Sequence, residues 1–161
     1  MSTTLVPDAT ALERLQIIQT SESVALVGVS ADPIRSSNFV ASYLVRTPFR
    51  IYMVNPAYEE VFGMKAYPSL AALPEVPDVV DIFRRRDAIP GVVDDAIDVG
   101  AKVVWMQLGL RHDDAAGTAV DAGLRVVQDR CLKIEHARFS GRLNLAGFNT
   151  GVIASKRRRP I

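Results

Sequence analysis

Cysteine is nearly absent from this chain, with a single one, Cys131, in 161 residues. That excludes an internal disulfide and any cysteine-built metal cluster. Charge of one sign is lacking as well, because 19 Lys and Arg face 18 Asp and Glu for a formal net charge of +1. A near-neutral chain offers no broad basic face, so neither nucleic acid nor a membrane is an expected partner. No run reaches the roughly 18 uncharged apolar residues that a membrane span requires. The opening MSTTLVPDAT has no basic start leading into an apolar run, so no secretory signal is read there. His112 and His136 lie far apart without neighbouring ligand spacing, which leaves no case for a metal. A reducing cytoplasm is the expected setting.

What is present is an ordinary globular composition, 48% hydrophobic and 23% charged. A length of 161 residues fits one domain over 1–161, long enough to bury a proper core without a staple. The core is expected over about 21–138, followed by a short basic tail, SKRRRPI, read as a solvated end.

Short Val- and Ile-rich runs recur along the chain: VALVGV (24–29), RIYMVN (50–55), VVDIF (79–83), AKVVWMQ (101–107) and LRVVQD (124–129). Most are continuously apolar, as strands covered on both faces are. Helical spacing separates them. Phe39, Val40, Tyr43 and Leu44 form one stripe behind Ser36 and Ser37, and Ile89, Val92, Val93, Ala96 and Ile97 form another. Further helices fit 113–122 and 10–20, and 69–73 allows a short turn between Pro68 and Pro74. Alternating strands and helices imply parallel pairing with right-handed crossovers. The predicted fold is α/β, a three-layer, Rossmann-like, doubly wound sheet of five mainly parallel strands.

Ligands in such sheets bind beyond the carboxyl ends of the strands. After the first strand comes GVSADPIRSS, where helix N-terminal amides favour a phosphate and Arg35 adds a forked charge. The dinucleotide fingerprint is missing, since Gly28 is present but Ser30, Pro33 and Arg35 fill the rest of the turn. After the second strand Asn55-Pro56 signals a turn where a dehydrogenase carries an acidic residue, a second argument against a nicotinamide cofactor. Arg84, Arg85 and Arg86 follow the third strand, and Gln107 and Gly109 the fourth. Trp105 is expected in the core, and His112 at a helix start, either capping it or exposed to solvent. Cys131 ends the fifth strand, either as a small buried hydrophobe or as a thiol stabilised at a helix start, with Asp129 and Arg130 as a mutual pair or cap.

The segments VGVSADPIRSS, YMVNP, GMKAYPSL, VDIFRR, GAKVVWMQLGL and GLRVVQDRC, in this order across five strand ends, carry a family resemblance. The chain resembles the stand-alone bacterial CoA-binding domains, which are similar to the CoA-binding N-terminal domain of the succinyl-CoA synthetase alpha subunit. The resemblance implies that Gly28, Ser30, Ala31, Asp32, Pro33, Arg35 and Ser36 surround the CoA phosphates, with backbone groups of Ser30 to Pro33 in contact. It implies that Asn55 and Pro56 lie by the adenosine, that Phe83 and Arg84 flank the nucleotide, and that Gln107, Leu108 and Gly109 line the pantetheine path towards Arg130 and Cys131. The synthetase relatives carry a Lys after the equivalent proline, whereas Ala57, Tyr58, Glu59 and Glu60 follow Pro56 here. The synthetase's phosphohistidine domain and nucleotide-grasping subunit do not fit in 161 residues, so its ligase reaction is not carried over.

The leading expectation is a small non-catalytic module that binds coenzyme A or an acyl-CoA, as a sensor, carrier or subunit for an unidentified protein partner, acting as monomer or homodimer. Two alternatives are an NAD(P)-binding oxidoreductase-type protein and a redox protein that forms a CoA mixed disulfide at Cys131.

Overall fold

A computed structural model of the chain describes residues 5–140; the expected basic tail lies outside them. In chain order the elements are α1 (Ala11–Thr20), β1 (Ser23–Val27), α2 (Ser36–Leu44), β2 (Arg50–Val54), β3 (Glu60–Val61), β4 (Met64–Tyr67), β5 (Val79–Ile82), α3 (Ile89–Val99), β6 (Val103–Met106), α4 (Asp113–Asp121), β7 (Arg125–Val127) and α5 (Leu132–Phe139). Single 3-10 turns at Leu70–Ala72 and Arg86–Ala88 complete the path. The strands form one sheet in the order β3-β4-β2-β1-β5-β6-β7. Every pairing is parallel except β3 with β4.

The α/β doubly wound fold is therefore as expected, with two short strands beyond the five read from the sequence. β3 and β4 form a hairpin whose connection, Phe62-Gly63, has positive φ at both residues, 55° and 70°. That geometry matches the right-handed strand twist, but Phe-Gly is not the Asn-Gly or Asp-Gly pair that announces such a turn. The short 3-10 turn between Pro68 and Pro74 falls where the spacing places it.

The period of two divides the sheet's side chains between two cores. Val24, Leu26, Val79, Val103 and Trp105 pack with Ile17 of α1, Val40, Ala41 and Leu44 of α2, and Leu132 of α5. Ala25, Val80, Ile82, Val104 and Met106 pack with Ile89, Val93 and Ala96 of α3 and Ala115, Ala116 and Ala119 of α4. The crossover from β1 through α2 thus covers one face and that from β5 through α3 the other. The crevice between two neighbouring strands that depart to opposite faces, β1 and β5, is where this topology places a ligand.

Local chemistry fixes the elements that frame it. Thr10 caps α1 in a reciprocal box, its hydroxyl accepting from Glu13 N at 3.1 Å while the Glu13 carboxylate accepts from Thr10 N at 2.6 Å. Arg14 reaches across from α1 to α5, its Nε 3.0 Å from Glu135 Oε2, with side chains 7% and 3% exposed. Trp105 is fully buried and its indole N–H donates to the Arg130 carbonyl at 2.8 Å, fixing the loop that leads into α5. No helix among the described residues is long and apolar enough to cross a membrane.

Candidate functional site

Gly28 ends β1 with φ +88°, and its N–H donates to the Val54 carbonyl of β2 at 2.9 Å. A Cβ there would stand 2.7 Å from Arg84 Cδ, 3.1 Å from Arg84 Cγ and 3.2 Å from the Phe83 carbonyl. The glycine therefore does two things: it supplies the left-handed turn, and it lets the Arg84 stem lie across the crevice. Two clefts share this point. One, about 510 Å³, is lined by Gly28, Phe83, Arg84, Arg85, Asp87 and Ala88. The second, about 350 Å³, adds Pro56 and Leu70 to Gly28, Arg84 and Ala88.

The loop after Gly28 is built from side chains that replace missing backbone partners. Ser30 N donates to Ser37 Oγ at 3.0 Å, Asp32 N to Ser30 Oγ at 3.0 Å, and Ile34 N to Asp32 Oδ1 at 3.0 Å. Buried Asn38 donates to the Ser30 carbonyl at 2.9 Å. The Ser30 and Asp32 amides are thus already engaged, and Pro33 has no N–H to give. The N–H groups of Ala31, Ser36 and Ser37 have no acceptor among the described residues. The cap of α2 is Arg35, whose side chain makes no capping bond; Ser37 turns back to the loop instead. Unsatisfied amides at a helix start with an exposed Arg35 beside them can receive an anion.

Asn55 is spent inside the protein. Its Nδ2 donates to the Val29 carbonyl at 2.9 Å and its Oδ1 accepts from Ala57 N at 2.9 Å, an Asx turn that ties the two loops together. Tyr58, which sequence reasoning passed over, adds a second tie, its hydroxyl 3.3 Å from Ser30 Oγ. Its position in a polar loop gave no periodic signal.

Arg35, Arg84, Arg86 and Arg130 at this edge are exposed and have no carboxylate within 4.0 Å among the described residues, as is also true of Arg46 and Arg125 elsewhere, whereas Arg14, Arg50, Arg85, Arg111 and Arg138 all have one. Of the mutual pair or cap expected of Asp129 and Arg130, the pair is not formed. Asp129 instead accepts from Gly109 N at 2.6 Å and so clamps the turn after β6 to the turn after β7.

Farther along the edge, Gln107 is buried and Leu108 exposed. Neither these two nor Gly109, Arg130 and Cys131 line the two clefts at Gly28. Cys131 is half-buried and packs against the core that holds Trp105. Burial pushes its thiol up, and Asp81 adds to this, against the Ile134 and Lys133 amides and the Lys133 ammonium. Arg130 is not among the groups that favour the thiolate. Sequence reasoning also missed Asp81, a fully buried carboxyl inside a strand, whose Oδ1 and Oδ2 accept from Gln107 Nε2 at 2.7 and 2.8 Å. The signal was there: an acid within the run VVDIF. Burial drives that carboxyl well above the usual range, opposed only by the Gln107 bond. His112 caps α4 as expected, its Nδ1 accepting from Ala115 N at 3.1 Å.

Comparison with known proteins bears on the same segments. The chain is 35% identical over 122 residues to the uncharacterized protein YneT of Bacillus subtilis (strain 168), covering 76% of this chain and 90% of that one. A hypothetical protein from Pyrococcus horikoshii OT3 superposes with a TM-score of 0.81 at 38% identity, covering 88% and 99% of the two chains. Acetate–CoA ligase (ADP-forming) I of Archaeoglobus fulgidus is 28% identical over 109 residues, 66% of this chain but 16% of the ligase. The family described as CoA binding domain matches residues 22–137, from the start of β1 almost to the end of α5, and to that family the chain belongs.

Proposed function

We propose that the chain binds coenzyme A or an acyl-CoA at the carboxyl edge of the sheet, as a small non-catalytic module that senses the ligand or carries it to a protein partner. The observation that carries this reading is the pair of guanidinium groups at the crevice, Arg84 laid across Gly28 and Arg35 beside the free amides of Ala31, Ser36 and Ser37. CoA brings a pyrophosphate and a 3′-phosphate, and charge-assisted contacts to guanidinium groups suit both. Phe83 and Pro56 offer apolar surface beside the same clefts for the adenosine. Gln107, Leu108 and Gly109 take the pantetheine, which runs towards Arg130 and Cys131. The ligase relative contains this region as a small part of its length, so the family's binding property is carried over here and the ligation is not. The domain assignment that accompanies this reading is a single unit over 1–161 with its core at about 21–138.

Thermal unfolding with CoA, dephospho-CoA, NAD and ATP in parallel tests it. A ligand at 100 times its dissociation constant raises stability by about 2.7 kcal/mol. CoA is expected to raise the midpoint most, with dephospho-CoA behind it. A larger shift with NAD, or none with CoA for protein shown by mass spectrometry to be ligand-free, would overturn the proposal.

A further inference from the structure

We infer that Asp81 is a positioning residue: it holds the Gln107 side chain so that Oε1 stands free as a buried acceptor for an N–H donor of the bound ligand, the chemistry of a pantetheine amide. The inference rests on the CoA reading above and names the group that recognises the ligand's arm.

β5 consists of Val79, Val80, Asp81 and Ile82, all buried, and Asp81 is paired in register with Leu26 on one side and Trp105 on the other. It faces the core beneath α2 and α5. Its carboxylate has one partner among the described residues, Gln107 Nε2, and no Lys, Arg or His within 4.0 Å. A carboxyl so placed opposes folding, whereas the valines and isoleucine around it favour folding. The large upward push on its protonation belongs with that cost and is typical of groups kept for a function.

The use lies in what the carboxyl does to its neighbour. With Asp81 ionised, Nε2 is drawn to both oxygens and Gln107 Oε1 is repelled from them, so the amide has one polarity. Gln107 is 6% exposed, and no group among the described residues donates to its Oε1. An acceptor buried to that degree without a donor is uncommon and points to a missing partner. The backbone that carries it is already set. Gln107 N donates to the Ile82 carbonyl at 3.4 Å, its carbonyl accepts from Leu110 N at 2.8 Å, and Asp129 clamps Gly109. Gln107 thus stands on a braced turn at the strand edge with its acceptor unclaimed.

Asp81→Asn is the test, because it keeps shape, removes the charge and lets the Gln107 amide turn over. By calorimetry the variant should bind CoA about tenfold more weakly than wild type, the size of one lost hydrogen bond. Adenosine 3′,5′-bisphosphate, which has the phosphates and no pantetheine, should compete equally well for both proteins. Adding Gln107→Met to Asp81→Asn should cost little more, since the amide it removes is no longer held. Unchanged CoA affinity in Asp81→Asn, an equal loss for the bisphosphate, or a further tenfold loss on adding Gln107→Met would each overturn the inference. Absence of CoA binding by wild type would instead remove the reading on which it rests.

Discussion

Gly28→Ala is a small change with two separable costs. The methyl group must be carried at φ +88°, where an L side chain loses about 1–2 kcal/mol. It must also displace Arg84, whose Cδ lies 2.7 Å from the new atom, and press on the Phe83 carbonyl at 3.2 Å. The Arg84 stem is flexible and moves cheaply, so the stability loss should stay near the backbone figure. For a chain of this size about 1–2 kcal/mol lowers the unfolding midpoint by roughly 2–8 °C. The affinity loss should be larger than the stability loss implies. A displaced Arg84 gives up a charge-assisted phosphate contact of about 1.5–3 kcal/mol, roughly 10- to 150-fold in the CoA dissociation constant. Thermal unfolding and calorimetric titration on the same preparation read both numbers. A variant with the expected lower midpoint but wild-type CoA affinity would refute the role given to Arg84, and one unchanged in both would refute the close approach itself.

Other outcomes follow from the same geometry. Arg35→Ala and Arg84→Ala should each weaken CoA and flatten the salt dependence of binding, because exposed phosphate contacts are screened; titrations at low and high salt read this. Burial raises the Asp81 carboxyl above its unfolded value, so the folded state holds the proton more tightly and wild-type stability falls as pH rises from the ordinary carboxylate range. The stability of Asp81→Asn relative to wild type should accordingly grow with pH in urea unfolding, and a constant difference from acid to neutral pH would contradict it. Glu135→Gln leaves the Arg14 guanidinium buried beside a neutral amide and should cost about 3–5 kcal/mol, as breaking a buried pair does. Cys131 should react slowly with a disulfide reagent at neutral pH and quickly once the chain is unfolded, since burial pushes its thiol up.

The architecture was legible because continuous apolar runs and helical stripes repeat with punctuation at Pro90, Gly100 and Gly123, and because the crossover rule then allows few topologies. The β3–β4 hairpin was not, since MKAY carries a Lys and its turn lacks the usual residue pair. At the site, the sequence located the strand ends but could not say which polar groups were already spent. Asn55 donates to the Val29 carbonyl, while the Ser30 and Asp32 amides donate to the Ser37 and Ser30 hydroxyls, a matter of tertiary geometry. Asp81 was visible as an acid in an apolar run, but its isolation from any cation depends on strands far apart in the chain.

Titration of 15N-labelled protein with CoA, followed by amide chemical shifts, reads where the ligand sits. The largest shifts are expected at Gly28, Ala31, Ser36, Ser37 and Arg84, with Gln107 and Gly109 following along the arm. Shifts centred instead on the cleft at the opposite sheet edge, lined by Ile18, Phe49, Arg50 and His136, would contradict that placement.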